Sequence, residues 1–188
     1  MSQGGVVLAA GAGSRYLGGT HKLLAPFRGR PLLLWAVEAA AGALGAGLDE
    51  LAVVSGAADL GEVLPAGVVL LVNPDWATGQ ATSLRVGLDW CAARGHEAAV
   101  VGLADQPLVT AACWRAVAAA TAPIAAASYG GRRRNPVRLA RAAWPLLPSE
   151  GDEGARLAMR EHPEMVAEVA CDGDPADVDT LEDLEQWS

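Results

Sequence analysis

Val6-Val7-Leu8-Ala9-Ala10-Gly11-Ala12-Gly13-Ser14-Arg15, with Lys22 one bend later, is the stretch on which the reading of this chain turns. An apolar run with β-branched residues ends in a glycine turn, and a basic residue stands on each side of the next bend. That order reads as a buried strand delivering a phosphate-binding loop. Gly11 and Gly13 let the backbone approach a ligand closely and take positive φ where the turn demands it. Exposed N–H groups of such a loop suit phosphate oxygens, and Arg15 and Lys22 suit their charge.

Two commoner glycine loops do not fit. The dinucleotide pattern G-x-G-x-x-G fails because Tyr16 holds the third glycine's place. The Walker A pattern fails because Gly19 and Thr20 follow Gly18 where Lys and Ser/Thr are required, which disfavours a P-loop hydrolase. A glycine turn after a strand is often only structural. Its place near the N-terminus, with Ser14, Arg15 and Lys22, favours a ligand.

A chain of 188 residues suits one domain with one sizeable core. With 52% hydrophobic and 19% charged residues it is globular rather than disordered. A net charge of −8 argues against a nucleic-acid partner. The basic residues are bunched, at Arg15, His21, Lys22, Arg28 and Arg30, then at Arg132, Arg133, Arg134, Arg138 and Arg141. Local basic clusters on an acidic chain fit a small anionic substrate. Cys91, Cys113 and Cys171 are scattered and odd in number, so the expectation is free thiols in a reducing cytoplasm, with neither disulfide nor zinc. No signal peptide is evident, and no apolar run reaches the roughly 18 residues a membrane span needs.

Outward from the loop, Pro31 opens a helix that runs to about Leu44, and Leu51–Val54 is a strand. A short helix is expected over Asp59–Leu64 and a strand over Val68–Val72, closed by Asn73-Pro74-Asp75. Gly79-Gln80-Ala81-Thr82-Ser83 opens a helix to about Arg94. Ala98–Ala104 is apolar throughout, as a central parallel strand is, and ends in Asp105-Gln106-Pro107. A helix from about Thr110 to Ala120 and a strand from Ile124 to Tyr129 follow. Gly130-Gly131 with the next arginines reads as a hairpin loop, and Pro136–Leu139 as its return strand. A helix opens at Gly151–Arg156, a strand covers Val166–Val169, and Asp177-Val178-Asp179-Thr180 caps a C-terminal helix. Strands alternating with helices give an α/β fold: a mostly parallel twisted sheet, helices on both faces, and an antiparallel hairpin addition.

Ligands of such sheets sit outside the carboxyl ends of the strands. The glycine loop and Asp105 both follow apolar strands, so they share one rim. Asp105 stands at the crevice mouth, and Asp179 lies just before the last helix. With a phosphate loop, the two carboxylates suggest a Mg²⁺ site, since Mg²⁺ takes one or two protein carboxylates and completes its shell with phosphates and water. His21, His96 and His162 are isolated, so neither a zinc site nor a Ser/His/Asp triad is supported.

Several motifs stand in one order along nearly the whole chain. They are Leu8–Arg15 with Lys22-Leu23-Leu24, Asn73-Pro74-Asp75-Trp76 with Gly79 and Ser83-Leu84, and Leu103–Pro107. Asn135-Pro136-Val137, Gly151-Asp152-x-Gly154-Ala155-Arg156 and Asp177–Thr180 complete the set. Together they resemble the MobA-like nucleotidyltransferases, and within them the molybdenum cofactor cytidylyltransferase (MocA-like) branch. The resemblance implies a single Rossmann-like nucleotidyltransferase domain over residues 1–188. Its nucleotide-binding half would span about 1–108 and its acceptor-binding half about 109–188. It implies transfer of CMP from CTP to the phosphate of molybdopterin-bound molybdenum, with release of pyrophosphate. A molybdenum hydroxylase would receive the product.

Leu8, Ala9, Ala10, Gly11, Ala12, Gly13, Ser14, Arg15, Lys22, Asn73, Gly79, Ser83 and Asp105 would then bind nucleotide. Arg15, Lys22 and Asp105 would be catalytic, with Mg²⁺ on Asp105 and Asp179. Gln106, Asn135, Pro136, Gly151, Asp152, Gly154, Ala155 and Arg156 would face the acceptor. Ala10 stands where guanylyl-transferring relatives carry a second glycine, which leans toward cytosine. Arg134 stands where a glycine usually precedes Asn-Pro, which leaves open another phosphorylated acceptor. A guanylyltransferase, or a non-catalytic module that binds and delivers the cofactor, remain the other readings.

Overall fold

β1 (Gln3–Ala9) is buried along its whole length and lies inside a seven-stranded sheet. The structure is a computed structural model, and the residues it describes are 1–14, 16, 19–180, 182, 183 and 186. In chain order there follow β2 (Pro26–Phe27), β3 (Arg30–Pro31), α1 (Leu32–Ala41), β4 (Glu50–Ser55), β5 (Val69–Val72), α2 (Gln80–Ala93) and β6 (Ala98–Leu103). The second half adds α3 (Ala111–Ala118), β7 (Ile124–Tyr129), β8 (Arg132–Ala140), α4 (Ala155–Glu161) and β9 (Val166–Ala170). The order across the sheet is β5-β4-β1-β6-β8-β7-β9. Every neighbouring pair in it is parallel except the two that β8 makes, with β6 and with β7. β2 and β3 form a separate two-stranded ribbon.

Period-two alternation along β1 assigns the two faces. Val7 and Ala9 join the cluster that α1 and α3 cover, through Leu33, Val37, Cys113 and Trp114. Val6 and Leu8 join the opposite cluster, built on Leu84 and Leu88 of α2 and on Met159 of α4. The chain leaves β1 to one side for β4 and returns to the other side for β6. The carboxyl end of β1 is therefore the switch point where a crevice opens. Leu8 pairs with Leu103, so the segments after β1 and β6 emerge at the same level.

Three expectations need correction. Asp59–Leu64 is a series of turns, not a helix. The Asp59 carboxylate accepts from Gly61 N–H at 3.0 Å, and the stretch between this turn and Pro65 is too short to nucleate a helix. The hairpin loop is only Gly130-Gly131, and Arg132, Arg133 and Arg134 already belong to β8. Cys113 and Cys171 are joined in a disulfide with Cα atoms 5.3 Å apart, while Cys91 is free and buried. The bridged pair lies 58 positions apart in the chain, and only the fold brings them together. The expected C-terminal helix falls largely outside the described residues. Its start is visible: Thr180 Oγ1 accepts from Asp183 N–H at 3.1 Å, and Asp183 Oδ2 accepts from Thr180 N–H at 2.9 Å. No helix among the described residues is long and apolar enough to cross a membrane.

Candidate active site

A cavity of about 420 Å³ opens at the switch point. Leu8, Ala10, Gly11 and Ala12 form one wall, and Leu103 and Asp105 the floor. The far wall is the start of α2 with the turn before it, from Trp76 to Gln80, together with Ser83 and Asp152. A smaller recess lined by Ala9, Gly11, Gly13, Lys22 and Asp105 joins the glycine turn to the lysine.

The glycine turn is held from behind. Gly13 has φ +62°, and a Cβ there would lie 3.0 Å from Lys22 Cβ, so the turn packs directly on the lysine. His21 ties the turn down: its Nε2 bonds the Gly11 carbonyl at 3.0 Å, and its Nδ1 accepts from Leu23 N–H at 3.3 Å. One neutral tautomer, protonated on Nε2, satisfies both bonds. This role of His21 escaped the sequence reading, because nothing in the spacing of a lone histidine announces a carbonyl partner. Ser14 is exposed and lines neither cavity. Arg15, expected to be catalytic, lies outside the described residues.

Lys22 sits on the short turn Lys22–Leu24 with its side chain 8% exposed. Its Nζ donates to Asp105 Oδ2 at 2.9 Å and to Asp179 Oδ1 at 3.1 Å. Burial draws the lysine's proton affinity down, but the two carboxylates more than reverse it, so its pKa is raised and the ammonium stays charged. The segment bearing Asp179 is laid under β6 by backbone bonds. Val178 N–H donates to the Asp105 carbonyl at 2.9 Å, and Val178 is itself buried in the core. Gln106 completes the dock, its Nε2 donating to Asp177 Oδ1 at 2.8 Å and to the Pro175 carbonyl at 3.0 Å. Gln106 Oε1 is buried without a hydrogen-bond partner among the described residues.

Across the cavity, Asn73 is buried and stands behind Ser83 of the lining. Its Nδ2 donates to Thr82 Oγ1 at 3.0 Å and to Ser83 Oγ at 2.9 Å, and its Oδ1 accepts from Asp75 N–H at 2.9 Å. Asn73 therefore reaches the cavity only through Ser83. Gly79 has φ +119°, and a Cβ on it would fall 2.5 Å from the Gly151 carbonyl oxygen. That closeness lets Gly151 accept from Ala81 N–H at 2.9 Å and Asp152 Oδ1 from Gln80 N–H at 3.1 Å. Gly151 and Asp152, expected on the acceptor side, thus cap the start of α2 at the first cavity. Gly154, Ala155 and Arg156 line a narrow slot between α4 and the sheet. Asn135 lines both that slot and a third cavity, which Gln106 and Arg156 share. Pro136 lies behind, against Trp114 and Val109.

No group of three or more His, Cys, Asp or Glu among the described residues is arranged to hold a metal. Asp105 and Asp179 nevertheless converge on one point, the Lys22 ammonium. Two carboxylates that meet are hard-oxygen groups of the kind that suit a divalent cation whose shell phosphates complete.

Residues 5–166 match the MobA-like NTP transferase domain. The chain belongs to that family. The transferase is 33% identical over 196 residues to nicotine blue oxidoreductase of Paenarthrobacter nicotinovorans, covering 96% of this chain and 93% of that one. It is 34% identical over 158 residues to molybdenum cofactor guanylyltransferase of Cereibacter sphaeroides, covering 84% and 76%. Among solved structures it resembles Rv0371c from Mycobacterium tuberculosis H37Rv, with a TM-score of 0.83, 31% identity and 100% and 97% coverage. A complex of Rv0371c with manganese superposes with a TM-score of 0.76 at 28% identity, covering 100% and 98%. The nucleotidyltransferase fold and the enzyme class read from the sequence both stand.

Proposed function

We propose that the protein transfers CMP from CTP to the phosphate of a phosphorylated acceptor, molybdopterin-bound molybdenum, and releases pyrophosphate. The observation that carries this is the meeting of Lys22, Asp105 and Asp179 at the rim of the glycine-loop cavity. An attacking phosphate and a triphosphate are both anions, so the work lies in neutralising and aligning them. The cradle that Gly11–Gly13 would offer suits the β and γ phosphates, with Arg15 beside it in sequence. Lys22, kept protonated by its two partners, supplies fixed positive charge near the α-phosphate. Asp105 and Asp179 would hold a divalent ion, which when bound supplies charge neutralisation at the phosphates. The acceptor phosphate is already ionised and needs no general base. Ser83, positioned by Asn73, and Gly79 with the Ala9-Ala10 backbone would read the base. Holding both partners in line is worth ~7–11 kcal/mol of the barrier.

A guanylyl reading is favoured by the named relative in Cereibacter sphaeroides. A thermal-shift panel of CTP, GTP, ATP and UTP with Mg²⁺ separates these readings. A ligand that binds only the native state raises the midpoint by mass action. The expected result is the largest shift with CTP, followed by pyrophosphate release once a phosphorylated acceptor is added. A preference for GTP transfers the assignment to the guanylyl reaction. Nucleotide binding without turnover, alongside intact cofactor transfer to a molybdenum hydroxylase, replaces it with a delivery module.

A further inference from the structure

A third cavity, about 300 Å³, lies beyond the first and shares Leu103 with it. Its origin is a slip in the sheet. β8 pairs with β6 only as far as Val137, opposite Val101. On its other side the register jumps from Ala126–Val137 to Ala127–Arg134, so Asn135 and Pro136 have no partner on β7. Such bulges bend a strand and re-aim its side chains. Here β8 leaves β6 and carries Arg133 and Arg134 to the edge of the gap. Arg156 closes it from α4, and Gln106 and Asp177 from the β6 side.

Three arginines and one aspartate therefore line this cavity, on a chain whose net charge is −8. Arg133 is partly neutralised, since its Nε donates to Glu168 Oε1 at 2.8 Å. Among the described residues Arg134 bonds only within its own strand, to the Arg133 carbonyl at 3.0 Å. Glu153, the acid near Arg156 in sequence, feels the charge of Arg156 but makes its ion pair with Arg160. Among the described residues neither Arg134 nor Arg156 has a carboxylate within ion-pair distance. Planar guanidinium groups suit carboxylate and phosphate, which they grip with two parallel bonds.

We infer that this cavity takes a second anionic group of the acceptor, set apart from the phosphate that reacts, and that Arg134 is the contact selecting for it. The inference rests on the proposed nucleotidyl transfer, because that reading lays the reacting phosphate beside Asp105 on the near side of Leu103. The acceptor's body then crosses the apolar surface of Leu103 and Val137, and its far end meets the arginines. The acceptor is a phosphomonoester anionic at both ends.

Three small probes test this by calorimetric titration: phenyl phosphate, 4-carboxyphenyl phosphate and 1,4-phenylene bisphosphate. The full chain is first saturated with Mg²⁺ and the α,β-methylene analogue of CTP, which cannot release pyrophosphate. The doubly anionic probes should bind about tenfold more tightly than phenyl phosphate, a step of ~1.4 kcal/mol. In Arg134→Gly that ratio should fall to near one while phenyl phosphate binds as before, and Arg134→Lys should keep part of it. Comparing the last two probes tells whether the subsite is built for carboxylate or phosphate. Equal affinities in the unaltered protein, or a ratio that survives Arg134→Gly, would overturn the inference. If the CTP analogue itself does not bind, the transferase reading fails, and the same titrations without it still test the arginine subsite.

Discussion

Lys22 Nζ lies 2.9 Å from Asp105 Oδ2, although 83 positions separate the two residues in the chain. A third partner, Asp179, approaches the same nitrogen at 3.1 Å from 157 positions away. Three distant segments thus present their charges at one point, at the mouth of the cavity. Lys22→Ala should cost turnover on the order of 10²–10³-fold, the loss seen when one preorganised donor is removed. It should also leave two carboxylates facing each other without their ammonium, lowering stability. Steady-state pyrophosphate release and urea denaturation read the two effects separately. A variant that loses only stability, with full turnover, removes Lys22 from the chemistry.

Asp105→Asn keeps the side chain's shape and removes its charge. The fold should survive, because Asp105's backbone carbonyl still accepts from Val178 N–H. Turnover should vanish, and the Mg²⁺-dependent part of the CTP-induced thermal shift should vanish with it. Chelating the metal from the unaltered protein should reproduce the same loss. Near-normal rates in Asp105→Asn with Mg²⁺ and CTP would take the residue out of the mechanism.

The middle of the sheet was legible because the runs Val6–Ala9, Leu51–Val54 and Ala98–Leu103 are wholly apolar. Val6–Ala9 and Ala98–Leu103 announce buried parallel neighbours, and the loops after them fall on one rim. The place of Asp105 on that rim was legible for the same reason, as a charge just after such a strand. What escaped were contacts that exist only in three dimensions. The bond from His21 to Gly11, the support of Ser83 by Asn73, and the bridge from Cys113 to Cys171 leave no local pattern. The bonds from Gly151 and Asp152 to the start of α2 leave no local pattern either, since they depend on Gly79 letting that loop approach. The short turns of Asp59–Leu64 misled because acidic and apolar residues mimic a helix where a single Asx turn suffices.

Asn73→Ala tests the second wall of the cavity. Truncation leaves the Asp75 N–H without its acceptor and frees Ser83 and Thr82 from their shared donor. Stability should fall by about 1–3 kcal/mol, the usual cost of a buried polar group losing its partner. Ser83 should then wander, so KM for the nucleotide should rise several-fold while kcat with saturating nucleotide changes little. A loss confined to kcat would instead place Asn73 in contact with the reacting groups.

The disulfide between Cys113 and Cys171 ties α3 to the segment that carries Asp177 and Asp179. It closes a loop of 58 residues, for which the chain-entropy account gives about 4 kcal/mol of stabilisation. Cys171→Ser should therefore lower Tm, and a thiol reductant should lower the Tm of the unaltered protein while leaving the variant's unchanged. The acidic segment should nonetheless stay in place. Cys171 N–H donates to the Ser128 carbonyl at 3.0 Å, Asp174 N–H to the Leu108 carbonyl at 3.4 Å, and Val178 N–H to that of Asp105. CTP–Mg²⁺ affinity below the melting range should accordingly be nearly the same with and without reductant. Counting free thiols by mass spectrometry after alkylation in denaturant decides the premise: one alkylated cysteine, the buried Cys91, is expected without reductant and three after reduction. Three without reductant would mean that the pair is open in solution, and the stability difference should then disappear as well.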